Sequence, residues 1–216
     1  MTMITAGKNN GKEVYNAFWD SGLLCADCDN SFSSDENYTY QFFKQFRDQA
    51  IEPVNVVKDP HGITFQYDID TKRIKRCLLS ILWRMAISKR SEFKNVDLGK
   101  IAVLLRDGLY NNTFMKDTFF PVSILSSRNV NNLKAKVLSP PTLKVKFQHR
   151  FNYVYIYTLY LPDIVILFYA SQQMKVNVQN IGIKEHVLLE VNQENGELMN
   201  ELLSGTFKNL NDVPRF

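Results

Sequence analysis

Apolar residues recur at helical spacing in the first half of this chain and at strand spacing in the second. In SFSSDENYTYQFFKQF, Tyr38, Phe42 and Phe46 stand four residues apart, which predicts a helix running to about Ala50. Ser33 or Ser34 is the expected N-cap, with Asp35 and Glu36 in the first turn, where acids suit the helix dipole. The strongest helical pattern lies at 72–88, KRIKRCLLSILWRMAIS, with Ile74, Cys77, Leu78, Ile81, Leu82, Met85 and Ala86 on one face. Its basic start opposes the dipole. A further helix is expected at about 97–110, with Asp97 as its cap and Ile101, Leu104, Leu105 and Leu109 as its apolar stripe. Between the first two helices, ITFQYDI alternates like a strand and follows the turn signal DPHG.

After about residue 112 the period changes. FFPVSIL, LKVKFQHRF, YVYIYTLYL, IVILFYA and HVLLEV are short apolar and aromatic runs separated by turn residues, the pattern of an antiparallel sheet or small barrel. ENGELMNELLSG predicts a short helix stopped by Gly205. The expected fold class is α+β: a helical first half with a zinc-knuckle-like CxxC, and an antiparallel β-rich second half. The divisions are 1–20, a flexible or partly ordered segment; 21–112, the helical region; and 113–216, the β-rich region, forming one compact unit with the part before it. Residues 1 to 13 are polar and read as flexible. The opening MTMIT looks like the β-galactosidase leader of many expression vectors, in which case it says nothing about the fold; a natural start is the alternative, and whether residues 1 to 6 are native stays open.

Composition narrows the class without naming a function. The 216 residues are 45% hydrophobic and 22% charged, with a formal net charge of +4, so a sizeable core is available and a nucleic-acid partner is permitted. LYLPDIVILFYA at 159–170 is too short to span a bilayer and carries Pro162 and Asp163, so no membrane association is expected. The N-terminus lacks the apolar core of a signal peptide. Three cysteines do not make a disulfide scaffold, and a cytoplasmic location fits them best.

Chemistry concentrates in LLCADCDNSF, where Cys25 and Cys28 have metal-ligand spacing. Zinc wants four ligands, so the pair supplies half a tetrahedral site. His61, or the same pair on a second copy of the chain, are the candidate completions. Cys77 lies on an apolar helix face, where cysteine behaves as a small hydrophobe.

The order of residues around this pair carries a resemblance. GLLCADCDNSFSSDENY at 22–38, CLLSILWRMAIS at 77–88 and VDLGKIAVLLRDGL at 96–109 resemble bacterial HNH-endonuclease-like proteins over about the first half of the chain. Cys25, Cys28, Phe32, Ser33, Glu36, Ser80, Trp83 and Arg84 fall on that pattern. The family's members usually carry an earlier CxxC and a histidine-containing segment, and work through a ββα-metal motif in which histidine activates water. Here no His or Cys precedes Cys25, and Asp29 stands where a Glu is usual. The resemblance therefore implies ancestry and a setting in anti-phage defence or a toxin system, without retained cleavage.

The remaining candidates have an ordinary reading beside the functional one. Glu36, His61 and His149 are the weak catalytic candidates; a helix-start acid, a turn residue and an exposed strand residue are the plainer readings. His186 beside Glu185 has the same standing. Lys72, Arg73, Lys75, Arg76 and Arg84 form a basic set that could meet phosphate; a solvated helix face, and for Arg84 a pair with Glu36 or Asp35, are the alternatives. Tyr153, Tyr155 and Tyr157 could stack bases, although one face of a packed sheet explains them too. Three functions follow as expectations. The first is a catalytically reduced HNH-like subunit associated with DNA, RNA or a protein partner or homo-oligomer, with zinc as the possible cofactor. The second is an active metal-dependent HNH-like endonuclease. The third is a purely structural interaction module.

Overall fold

The computed structural model describes residues 2–3, 12–13, 22–59, 62–111, 120–126, 145–149, 152–161, 164–170 and 188–190. In chain order they form β1 (Thr2–Met3), β2 (Lys12–Glu13), α1 (Ala26–Arg47), β3 (Asn55–Asp59), β4 (Gly62–Gln66), α2 (Thr71–Ile87), α3 (Ile101–Asn111), β5 (Val122–Ser126), β6 (Val145–His149), β7 (Asn152–Leu161), β8 (Ile164–Ala170) and β9 (Leu188–Glu190). The α+β class is as expected, with helices early and most strands late. Thr2 pairs with Glu13 and Met3 with Lys12, a two-rung ladder within the stretch read as flexible. His61, His186 and the helix expected near Gly205 lie outside the described residues.

Helix α1 starts about eight residues before the expected N-cap. Its cap is Cys25, whose sulfur accepts the Cys28 N–H at 3.3 Å, and Asp27 and Asp29 place acids in the first turn. Ser33, expected as the cap, instead donates its hydroxyl to the Asn30 carbonyl at 2.8 Å inside the helix. The buried residues Phe32, Asp35, Thr39, Phe42 and Phe46 run at alternating spacings of three and four, so the apolar stripe began before the serines. The helix ends with Gln49 at φ 55°, the Gln49 N–H on the Phe46 carbonyl and the Ala50 N–H on the Gln45 carbonyl at 2.8 Å. This is the Schellman closure, with glutamine in the left-handed position where glycine is usual.

Helix α2 matches its predicted span to one residue. Asp70 caps it, its carboxylate accepting from the Lys72 and Arg73 backbone N–H groups at 3.1 and 3.2 Å. That acid offsets the basic first turn. Burial extends beyond the predicted face, because Leu79, Ser80 and Trp83 are enclosed as well. Helix α3 begins at Ile101 and not at Asp97: the Asp97 carboxylate accepts the Gly99 N–H at 2.9 Å in a turn that places Gly99 at φ +51°. Leu105 and Leu109 point inward, but Leu104 is exposed, so its place in the predicted stripe is corrected.

The seven strands β3 to β9 form one sheet in the order β3-β4-β9-β5-β8-β7-β6. Every pair is antiparallel except β5 with β9, which runs parallel. Two departures from expectation follow. The hairpin of β3 and β4, from the helical half, belongs to the same sheet as the later strands. The sheet is also mixed and, among the described residues, ends at β3 and β6 without closing into a barrel. The run LYLPDIVILFYA divides into the end of β7 and the whole of β8. All seven residues of β8 are buried, which explains its continuous apolar run.

One hydrophobic core joins the halves. Phe32 of α1, Leu79 and Leu82 of α2, Leu105 and Leu109 of α3, Val122 of β5 and Ile166 of β8 are fully enclosed in it. Each such side chain contributes roughly 1.5–3 kcal/mol through burial. Tyr157 of β7 is enclosed too and donates its hydroxyl to the Asp97 carbonyl at 2.6 Å, tying the sheet to the turn before α3. No helix among the described residues is long and apolar enough to cross a membrane.

Candidate functional site: the face between the first two helices

The described candidates on the helices collect where α1 lies along α2 and meets the end of α3. Asp35 of α1 stands at the centre. Its side chain is only 11% exposed and takes two guanidinium groups from α2: Arg73 through Nε at 3.1 Å, and Arg76. Arg73 also donates to the Ser34 carbonyl and hydroxyl at 2.6 and 2.7 Å, and its guanidinium lies 4.4 Å from the Tyr38 ring centroid. Arg76 reaches the Leu109 carbonyl at 3.2 Å and the Ser31 carbonyl at 3.3 Å, and stacks 5.0 Å from the Phe32 centroid. Arginine suits this place because its planar fork can serve carboxylate, carbonyl and ring together.

About two helical turns along α2 from Arg76, Arg84 makes a similar arrangement. It pairs with Glu36 and, at 3.4 Å, with Asp29, and its NH2 donates to the Ser80 hydroxyl at 3.2 Å. Ser80 is fully buried and donates its own hydroxyl to the Cys77 carbonyl at 2.7 Å. Glu36 of α1 thus joins Ser80 and Arg84, four residues apart on α2, although it is far from them in the chain. Glu36, a catalytic candidate, is an ion-pair partner in this arrangement, as the alternative reading of Arg84 had it.

Of the five basic candidates, Lys72 alone is exposed. Arg73, Arg76 and Arg84 are half-buried against acids, and Lys75 is buried. His149 lies at the end of β6, opposite Asn152 of β7, in the strand position expected for it. Tyr157 belongs to the core, so it cannot serve as a stacking surface.

Cys25 is exposed and Cys28 half-buried at the start of α1, and Cys77 is buried. The Cys28 thiol lies within hydrogen-bonding reach of the Cys25 sulfur. With the Cys28 backbone N–H, this holds the Cys25 thiol below its ordinary range. The same contact raises Cys28, while a hydrogen bond from the Tyr110 hydroxyl opposes that rise. Burial, and then the bond to Cys28, push the Tyr110 hydroxyl up to about 12. Tyr110 sits in the last turn of α3, with its ring 5.6 Å from Phe32 and edge-on to Trp83 at 6.0 Å. Burial pushes the Cys77 thiol up to about 11, as for a core residue.

A zinc ion would need four donors. Cys25 and Cys28 offer two thiolates on one helical turn, which fits half of such a site. Among the described residues no group of three or more His, Cys, Asp or Glu side chains is disposed to hold a metal ion.

Tyr110 and the central role of Asp35 escaped the sequence reading. Asp35 had a signal, because it occupies a buried position in the Phe32, Thr39 and Phe42 stripe, where an acid demands a partner. Tyr110 had none, since only the packing of α3 against α2 brings it to Cys28. Comparison of the chain with family models, with curated proteins and with solved structures returns no match.

Proposed function

We propose that this chain is a catalytically reduced HNH-like bacterial protein that works in the cytoplasm as a protein-binding subunit, in a defence or toxin setting. Strand β3 carries the reading. It is a terminal strand of the sheet, and among the described residues it pairs only with β4. Val54 just before it is 63% exposed, and Val56 and Val57 within it are 42% and 43% exposed. Adjacent strand residues face opposite sides of a sheet, so β3 offers apolar side chains on both faces beside an open main-chain edge. An extended segment of a partner protein fits such an edge by adding a strand.

The nucleic-acid half of the expectation has less support. Three guanidinium groups of the basic set already hold carboxylates, so phosphate would have to displace Asp35 or Glu36. The nuclease alternative would need Glu36 released from Arg84.

The test uses purified full-length protein and a Val56→Lys, Val57→Lys variant. Wild type should bind a protein partner stoichiometrically and the variant should lose it, with plasmid left intact in Mg²⁺ or Mn²⁺. Cleavage that a chelator stops would overturn the reading in favour of the nuclease. Salt-sensitive binding of duplex DNA or RNA by both proteins would overturn it in favour of nucleic-acid association.

A further inference from the structure

The pair Cys25 and Cys28 is not used by the β3 surface, yet it is the most reactive chemistry in the described chain. Cys25 caps α1 and accepts the Cys28 N–H at 3.3 Å, so its sulfur is exposed while held by the helix start. Residues three apart on a helix have Cβ atoms about 5–6 Å apart. A disulfide needs about 3.5–4.5 Å, which a small shift at the cap residue would supply. A third group converges from another element: the Tyr110 hydroxyl of α3 reaches the Cys28 sulfur.

We propose that Cys25 and Cys28 form a dithiol–disulfide couple that exchanges with small aliphatic disulfides, Cys25 attacking and Cys28 resolving. In the first step the Cys25 thiolate attacks one sulfur of the small disulfide. That S–S bond breaks, and one thiolate leaves and takes up a proton. In the second step the Cys28 sulfur, after losing its proton to solvent, attacks the Cys25 sulfur and expels the second small thiol. The protein pair is oxidised by two electrons, the small disulfide is reduced to two thiols, and the Cys25–Cys28 bond closes. Exposure assigns the first role to Cys25. Partial cover by Tyr110 assigns the second to Cys28, whose sulfur an incoming disulfide reaches less readily.

The experiment incubates full-length protein in glutathione buffers from fully reduced to fully oxidised and maps the thiols by alkylation and peptide mass spectrometry. Wild type should lose two alkylatable thiols together, Cys25 and Cys28, while Cys77 stays reduced. Cys28→Ser should instead accumulate glutathione on Cys25, severalfold above the wild-type level. Cys25→Ser, which keeps a hydroxyl cap on α1 and should therefore fold, should show neither species. Circular dichroism of each variant confirms that the helices are retained. The proposal is overturned if wild type keeps both thiols free in fully oxidised glutathione. It is equally overturned if Cys28→Ser carries no more glutathione on Cys25 than wild type does. Stoichiometric zinc on the pair in freshly purified protein, blocking both reactions, would also overturn it.

Discussion

Replacing Asp35 with asparagine removes one charge and almost no volume. In the native protein that carboxylate, 11% exposed, receives Arg73 Nε at 3.1 Å and a second bond from Arg76. Hydrogen bonds to charged groups contribute roughly 1.5–3 kcal/mol each, and breaking a buried pair costs about 3–5 kcal/mol. Two features reduce that cost. The Arg73 and Arg76 side chains are 34% and 21% exposed, so water can partly replace the lost acid. Both also keep backbone acceptors, Ser34 for the first and Leu109 and Ser31 for the second. The expected loss for Asp35→Asn is therefore about 2–3 kcal/mol. Urea unfolding followed by circular dichroism should show a lower midpoint at unchanged slope, and the melting temperature should fall by roughly 5–10 °C. Adding Arg73→Met should cost less than the sum of the single changes, because it removes an uncompensated cation. Asp107→Asn is the control: its pair with Arg106 is about half exposed on both sides and should matter by under about 0.5 kcal/mol. An Asp35→Asn variant that unfolds with the control would refute the view that this acid organises the α1–α2 contact.

Other substitutions probe separate features. Gln49→Gly should stabilise the protein by about 0.5–1 kcal/mol in the same assay, because it relieves the left-handed strain at φ 55° at the end of α1. Leu105→Ala, at a fully enclosed core position, should cost about 2–5 kcal/mol. Cys77 makes a pH prediction. Its thiol is raised from 9.0 to about 11, so the unfolded chain ionises first and the contribution of Cys77 is complete below pH 9 and lost as pH rises to 11. That loss is roughly 2–3 kcal/mol, and Cys77→Ala, measured by urea unfolding at several pH values, should show a shallower decline over the same window.

Legibility followed the range of the interactions. Helix α2 was readable because its apolar period lies within one local stretch, although its Asp70 cap went unread. The start of α1 was misread because two serines looked like caps, whereas the helix is set earlier by a cysteine cap and by Phe32, already on the buried face. Leu104 fitted the stripe of α3 on spacing alone, but the core encloses only Leu105 and Leu109 of that stripe and leaves Leu104 at its exposed edge. The later strands were visible from alternation and punctuation. Their order in the sheet was not, because the parallel pairing of β5 with β9 joins segments with no local signal for each other. The Arg84–Glu36 pair was foreseen as an alternative because an arginine inside an apolar helix calls for an acid partner. The convergence of Tyr110 on Cys28 depends on how α3 is docked, which no spacing along the chain encodes.

Strand β9 sets a timetable for the molecule. Its three residues sit between β4 and β5, with Ile63 opposite Glu190 on one side and Ile124 opposite Leu188 on the other. As the chain leaves the ribosome, the early hairpin must wait for almost the whole sequence before its neighbour exists. Closing so long a loop is entropically costly, so this seam should be a late event in folding. A nascent or prematurely terminated chain that stops before Leu188 would present two unmatched strands where the finished protein has a continuous sheet, and quality-control proteases and chaperones act on such surfaces.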